Sequence, residues 1–117
     1  MASEITIKRG TPYSATVVFT DDMTAEPLNL TGKTVFFTVK KYGQHNATDD
    51  STYLIKKDIT THTDPANGET TLVLTAVQTN IPAGTYAYDY KVYVSGVNIN
   101  TDTGICIVED IVTVRTT

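Results

Sequence analysis

At 117 residues the chain has the length of a single domain, enough to bury about two-thirds of its unfolded surface and to fold without disulfides or a structural metal. A net charge of −4 and a pI near 4.9 argue against a nucleic-acid surface, which would show clustered Lys and Arg. No apolar run approaches the ~20 residues needed to span a bilayer, and Met1-Ala2-Ser3-Glu4 leads directly into a polar strand, so neither a secretion signal nor a membrane anchor is expected.

Thr and Val are abundant, Trp is absent, and no window of helical length carries an apolar stripe at i, i+3, i+4, so the chain reads as all-β. The first predicted strand is Ile5 to Arg9, broken by Gly10-Thr11-Pro12. The second is Tyr13 to Thr20, with Tyr13, Ala15, Val17 and Phe19 on one face. Asp21 to Asn29 is a polar connection with Pro27 as a breaker, and Leu28 and Leu30 plug the edge of the core. A third strand, Lys33 to Lys41, points Val35, Phe37 and Val39 inward and Phe36, Thr38 and Lys40 outward.

Tyr42 to Ser51 is the most loop-like stretch, with Gly, Asn and paired Asp favouring turns. A weaker strand follows at Thr52 to Thr60, in which Tyr53 and Ile55 share one parity. Thr61 to Asn67 is a turn region, and Asn67-Gly68 is a strong turn signal because both residues tolerate positive φ. Thr70, Leu72 and Leu74 then alternate along Glu69 to Ala76. After the Pro82-Ala83-Gly84 corner, Tyr86, Tyr88, Tyr90, Val92 and Val94 share one face of Thr85 to Ser95, and the three tyrosines read as a core row, whose hydroxyls reach backbone partners or the rim, rather than as a ligand platform.

Gly96 to Gly104 reads as a hairpin connection able to prolong its flanking strands, and Ile105 to Arg115 as the last strand. There Ile105 and Ile107 lead and Val108, Val112 and Val114 follow on the other parity, which predicts a bulge at Glu109-Asp110. About seven short antiparallel strands with turns at regular intervals point to one domain over residues 1–117, an immunoglobulin-like Greek-key β-sandwich. The Cys, Trp, Cys pattern of antibody domains is missing. The single Cys106 permits no intrachain disulfide and reads as a small buried or half-buried hydrophobe.

Candidates for chemistry are few. His45 and His62 lie in Asn-, Asp- and Thr-rich loops, where a solvated histidine is the default, and one Cys with two separated histidines makes no zinc pattern. Asp21-Asp22, Asp49-Asp50 and Glu109-Asp110 pair carboxylates without the calcium-loop spacing; Asp49 and Asp50 are the least implausible ligands. Phosphate loops, nucleophile elbows and HExxH helices do not occur. No enzyme activity, cofactor or metal is expected. Among the outward aromatics, Phe36 and Tyr93 are candidates for docking a neighbouring subunit. Tyr42 and Tyr53 border the long loop, where aromatics at a tip could stack on a sugar.

Several segments together carry a family resemblance: Ile7-Lys8-Arg9-Gly10; Pro27-Leu28-Asn29-Leu30-Thr31-Gly32 leading into Val35 to Lys41; Asn67-Gly68 with Leu72 to Ala76; and Ile81-Pro82-Ala83-Gly84-Thr85-Tyr86 with Tyr88-Asp89-Tyr90. In this order they resemble the N-terminal domain of phage baseplate upper proteins. The resemblance covers nearly the whole chain. It implies an immunoglobulin-like sandwich serving as a non-enzymatic structural module of a tailed-phage tail, baseplate, neck or decoration, made in the bacterial host cytoplasm and located in the virion. The partners it implies are other phage structural proteins. Homo-oligomers are expected in the particle, with neither nucleic acid nor membrane, and a host-surface glycan is the alternative partner. That family continues beyond this domain into a long connecting region, whereas this chain stops at Thr117. Strand edges template intermolecular pairing, so subunit contacts are expected at Ile5 and Ile7, at Val112 and Val114, or at the Tyr42 to Ser51 loop.

Overall fold

The computed structural model describes residues 4–21, 24–42, 53–95 and 97–111. Its strands are β1 (Ile5–Lys8), β2 (Tyr13–Val18), β3 (Thr34–Lys41), β4 (Tyr53–Ile59), β5 (Glu69–Leu74), β6 (Gly84–Val94) and β7 (Val97–Glu109). They form a five-stranded sheet in the order β1-β7-β6-β3-β4 and a two-stranded sheet of β2 and β5. The two pack as a β-sandwich. Most neighbours are antiparallel, but β1 runs parallel to β7, with Ile5 opposite Cys106 and Lys8 opposite Glu109. The expectation of an all-antiparallel arrangement is corrected at this pair: the chain leaves β1 for the opposite sheet instead of turning back in a hairpin.

The period-two pattern accounts for the core. Val35, Phe37 and Val39 of β3, Leu72 and Leu74 of β5, and Tyr86, Tyr88, Tyr90 and Val92 of β6 are buried together with Phe19, Leu30, Ile55 and Ile7. Aromatic packing links the sheets: the Phe19 ring meets Tyr90 edge-on at 5.9 Å between centroids. Tyr90 lies 5.1 Å from Phe37. Tilted and T-shaped arrangements of this kind are the favoured ones for ring quadrupoles.

The connections between sheets are tied by backbone bonds. Phe19 N–H donates to Gly68 C=O (2.9 Å), Leu28 N–H to Phe19 C=O (3.0 Å) and Leu30 N–H to Pro65 C=O (2.8 Å). These bonds hold the link from β2 to β3 against the link from β4 to β5, and Leu30 seals the end of the core with no exposed surface. The predicted Asn67-Gly68 turn is realised as a 3-10 turn over Pro65–Asn67 that ends on Gly68 in the left-handed region at φ 74°.

Four local expectations change. Thr38 and Lys40 point outward but are buried, because β3 lies between β4 and β6. A register shift opposite Val39/Lys40 sets Tyr53 against Lys40, so Tyr53 leaves the inward parity of Ile55 and is exposed. Asn98 to Asp102, expected in a hairpin connection able to prolong its flanking strands, belong to β7, which begins with Val97 opposite Val94. Finally, Cys106 and Val108, rather than Ile105 and Ile107, face the core. This places Val108 on the parity of the residues before it, so no bulge is needed at Glu109-Asp110; the register shift of this hairpin lies instead at Val92/Tyr93.

Candidate functional site

Phe36 and Tyr93 meet on the outer face of the five-stranded sheet. Tyr93 is opposite Thr34 and Phe36 opposite Lys91, so the two aromatics are diagonal neighbours across β3 and β6, a separation long side chains can bridge. Their ring centroids are 5.3 Å apart at an interplanar angle of 56°. Both are half-buried.

The remaining expected contact residues are dispersed. Ile5 and Ile7 lie on β1, the edge of the larger sheet. Ile5 is half-buried and Ile7 belongs to the core, so β1 can offer a partner its backbone but not the Ile7 side chain. Tyr42 is exposed just after β3, and Tyr53 at the start of β4 is also exposed, with the Lys56 ammonium 5.6 Å from its ring centroid. Val112 and Val114 lie outside the described residues, as do residues 43–51 of the predicted loop, His45, Asp49 and Asp50 among them.

The parallel pair β1–β7 is clamped where the two strands end. Lys8 Nζ is 2.6 Å from Glu109 Oε1, and Arg9 Nε is 2.9 Å from Asp110 Oδ1. The Arg9 N–H also donates to Glu109 C=O at 2.9 Å. The backbone N–H of Ile111, and after it the Arg9 guanidinium, hold the Asp110 carboxyl below the usual carboxylate range. These exposed charges are ordinary strand-end pairs, worth little in water.

The groups that could carry chemistry are engaged in the fold. His62, expected in solvent, is half-buried between two connections: its Nε2 lies 2.7 Å from Lys33 C=O and its Nδ1 2.9 Å from Thr70 Oγ1. A carbonyl only accepts, so Nε2 carries the hydrogen and donates to Lys33, while the buried Thr70 hydroxyl can donate to Nδ1. Cys106 is fully buried, and desolvation pushes its thiol up to about 11. The Tyr86 hydroxyl donates to Pro82 C=O across the corner that precedes β6. Among the described residues, no three His, Cys, Asp or Glu side chains are grouped to hold a metal ion.

One surface feature escaped the residue-by-residue reading. Residues 10–20 and 70–88 contain no Asp, Glu, Lys or Arg, and they supply β2, nearly all of β5, the corner after β5 and the start of β6. Within these runs Val18, Val73 and Val77 are exposed at 57%, 50% and 86%. The outer face of the larger sheet, in contrast, carries Lys8, Lys40, Lys56, Asp58, Asp89 and Lys91. The signal was available as an absence of charge along two strands, whereas attention to aromatics and histidines passes over it.

Comparison of the chain with protein-family models and with curated proteins finds no match.

Proposed function

We propose that this chain is a non-enzymatic assembly module of a tailed-phage particle, attached to other structural proteins through the surface of its sandwich. The observation that carries the reading is the half-buried Phe36–Tyr93 pair on the outer face of the five-stranded sheet. Aromatic residues are enriched where proteins dock, because they present large contact area at little cost in side-chain freedom. The resemblance of the segments from Ile7 to Tyr90 supplies the class of assembly.

An immunoglobulin-like form of the sandwich supports the same reading. The order β7-β6-β3-β4 facing β2-β5 corresponds to strands G-F-C-C′ facing B-E of that fold. Tyr86, early in β6 with its hydroxyl on the carbonyl of Pro82, matches the tyrosine corner found there before strand F. The deciding experiment is peptide mass spectrometry on tailed particles purified from cells that encode the chain. Stoichiometric recovery with the particles, lost when Phe36→Glu and Tyr93→Glu are introduced together, is the expected result; absence of the chain from intact particles overturns the proposal.

A second reading, recognition of a host-surface glycan, draws on the exposure of Tyr42 and Tyr53 at 59% and 49% on either side of residues 43–52. Specific binding on a glycan array, abolished by Tyr42→Ala, would favour it over assembly.

A further inference from the structure

We infer that two copies of this chain join edge to edge through β2, in antiparallel register about a two-fold axis at Thr16, so that β5-β2 of each copy become one four-stranded sheet. The inference goes beyond the assembly reading: such a dimer is a property of the isolated chain, whatever particle it belongs to.

The free edges differ in what they can accept. β1 spans Ile5–Lys8, a four-residue strand whose last side chain is charged. β4 carries Lys56 and Lys57 at its middle, so antiparallel self-pairing centred on either residue, or between them, opposes lysine to lysine. Short strands and edge lysines are the usual protection against such pairing. The outer edge of β5 is partly occupied: Asp64 and Glu69 exchange backbone bonds of 3.1 and 3.0 Å, and the hydroxyls of Thr63 and Thr71 are hydrogen-bonded. β2 has neither protection. It pairs with no second strand among the described residues, and no charged residue occurs from 10 to 20.

Hydrogen-bond alternation selects the register. Phe19 N–H reaches Gly68, and Phe19 and Gly68 continue the series of partners that sets Val18 opposite Glu69. In an antiparallel ladder alternate residues direct both backbone groups to the same side, so odd-numbered residues of β2 bond towards β5 and Ser14, Thr16 and Val18 direct theirs to the open edge. Glu69, opposite Val18, bonds away from β2 to Asp64, which agrees with that phase. With the axis at Thr16, Ser14 faces Val18 of the second copy, Thr16 faces its own symmetry mate, and each pair exchanges N–H and C=O. On the outer face, Thr16 beside Thr16 is a favourable cross-strand pair. A second copy also suits an uncharged surface, since every charge an isologous contact contains is set near its duplicate.

Sedimentation of the full chain, over a concentration series reaching the millimolar range, should show a species of twice the 12.7 kDa chain mass. Thr16→Lys, which opposes two ammonium groups at the axis, should lower that mass two-fold with an unchanged circular dichroism spectrum. Should Thr16→Lys fail to fold, Thr16→Cys decides: oxidation should give a covalent dimer on a non-reducing gel, with buried Cys106 remaining unreacted. A wild-type chain that stays monomeric throughout, a dimer whose mass Thr16→Lys leaves unchanged, or a folded Thr16→Cys chain that forms no covalent dimer would each overturn the inference.

Discussion

Gly68 lies directly against the backbone of Leu28. A Cβ added at Gly68 would sit 2.8 Å from Leu28 O and 3.1 Å from Leu28 N, and it would also strike the carbonyl oxygen of Phe19. Three segments cross there: the end of β2, the link to β3 and the start of β5. None can yield easily, because Phe19 and Leu28 are hydrogen-bonded to each other and Phe19 to Gly68. Gly32 has the same φ of +74° with nothing within 4 Å of its would-be Cβ. The two glycines therefore separate backbone strain from collision. Gly32→Ala should cost about 1–2 kcal/mol, the left-handed term alone, whereas Gly68→Ala should cost about 2–5 kcal/mol by adding an overpacking term. Urea unfolding of both variants checks the difference; equal costs would mean that the crossing relaxes freely.

Removing the Tyr86 hydroxyl tests the corner before β6. Tyr86→Phe keeps the buried ring and leaves Pro82 C=O without this donor, so a loss of about 0.5–1.5 kcal/mol is expected. Calorimetry should show a lowered Tm with the fold retained. No change would mean that water replaces the phenol at no cost.

Alkaline pH should weaken the fold through Cys106. Its thiol is raised from 9.0 to about 11 by burial, so the unfolded chain loses this proton before the native one does. The contribution is complete below pH 9 and disappears as pH climbs through about 11. Tyr13 and Tyr86 are raised as well, first by desolvation and then by the neighbouring Cys106, and act in the same direction. Urea midpoints measured across this window should fall for the wild type and fall less steeply for Cys106→Ala. Parallel curves would contradict the assignment.

The Phe36–Tyr93 contact should register as a coupling. In a double-mutant cycle of Phe36→Ala and Tyr93→Ala, an interaction of about 0.5–1.5 kcal/mol is expected from the ring pair. Additive single costs would show that the rings pack independently. Both single variants should fold, since the residues are half-buried on the outer face and neither belongs to the core.

Period-two alternation made most of the core legible. Val35, Phe37 and Val39, the Tyr86–Tyr88–Tyr90 row, and Leu72 with Leu74 have the parity and burial that their spacing implies. Local composition misleads where it and strand pairing disagree. Asn98 to Asp102 look like a turn because Asn, Thr and Asp favour one, yet they pair with β6 as part of β7. Tyr53 changed faces because a register shift between β3 and β4 is decided by two strands together. His62 looks solvated from its neighbours in sequence because the carbonyl and the hydroxyl that bind it come from Lys33 and Thr70, and only folding brings them to it.

The sequence by itself determined that this chain is a β protein, most of the side chains that fill its core and that Phe36 and Tyr93 point outward, because alternation along one strand is a local property. It also contained the uncharged runs at 10–20 and 70–88. Tertiary structure alone decided that β1 runs parallel to β7, that Gly68 lies at a three-way crossing, and that the uncharged runs become neighbours in the two-stranded sheet. Each of these depends on which strand lies beside which, a choice made by burial and hydrogen bonding over the whole chain rather than by the preferences of any single segment.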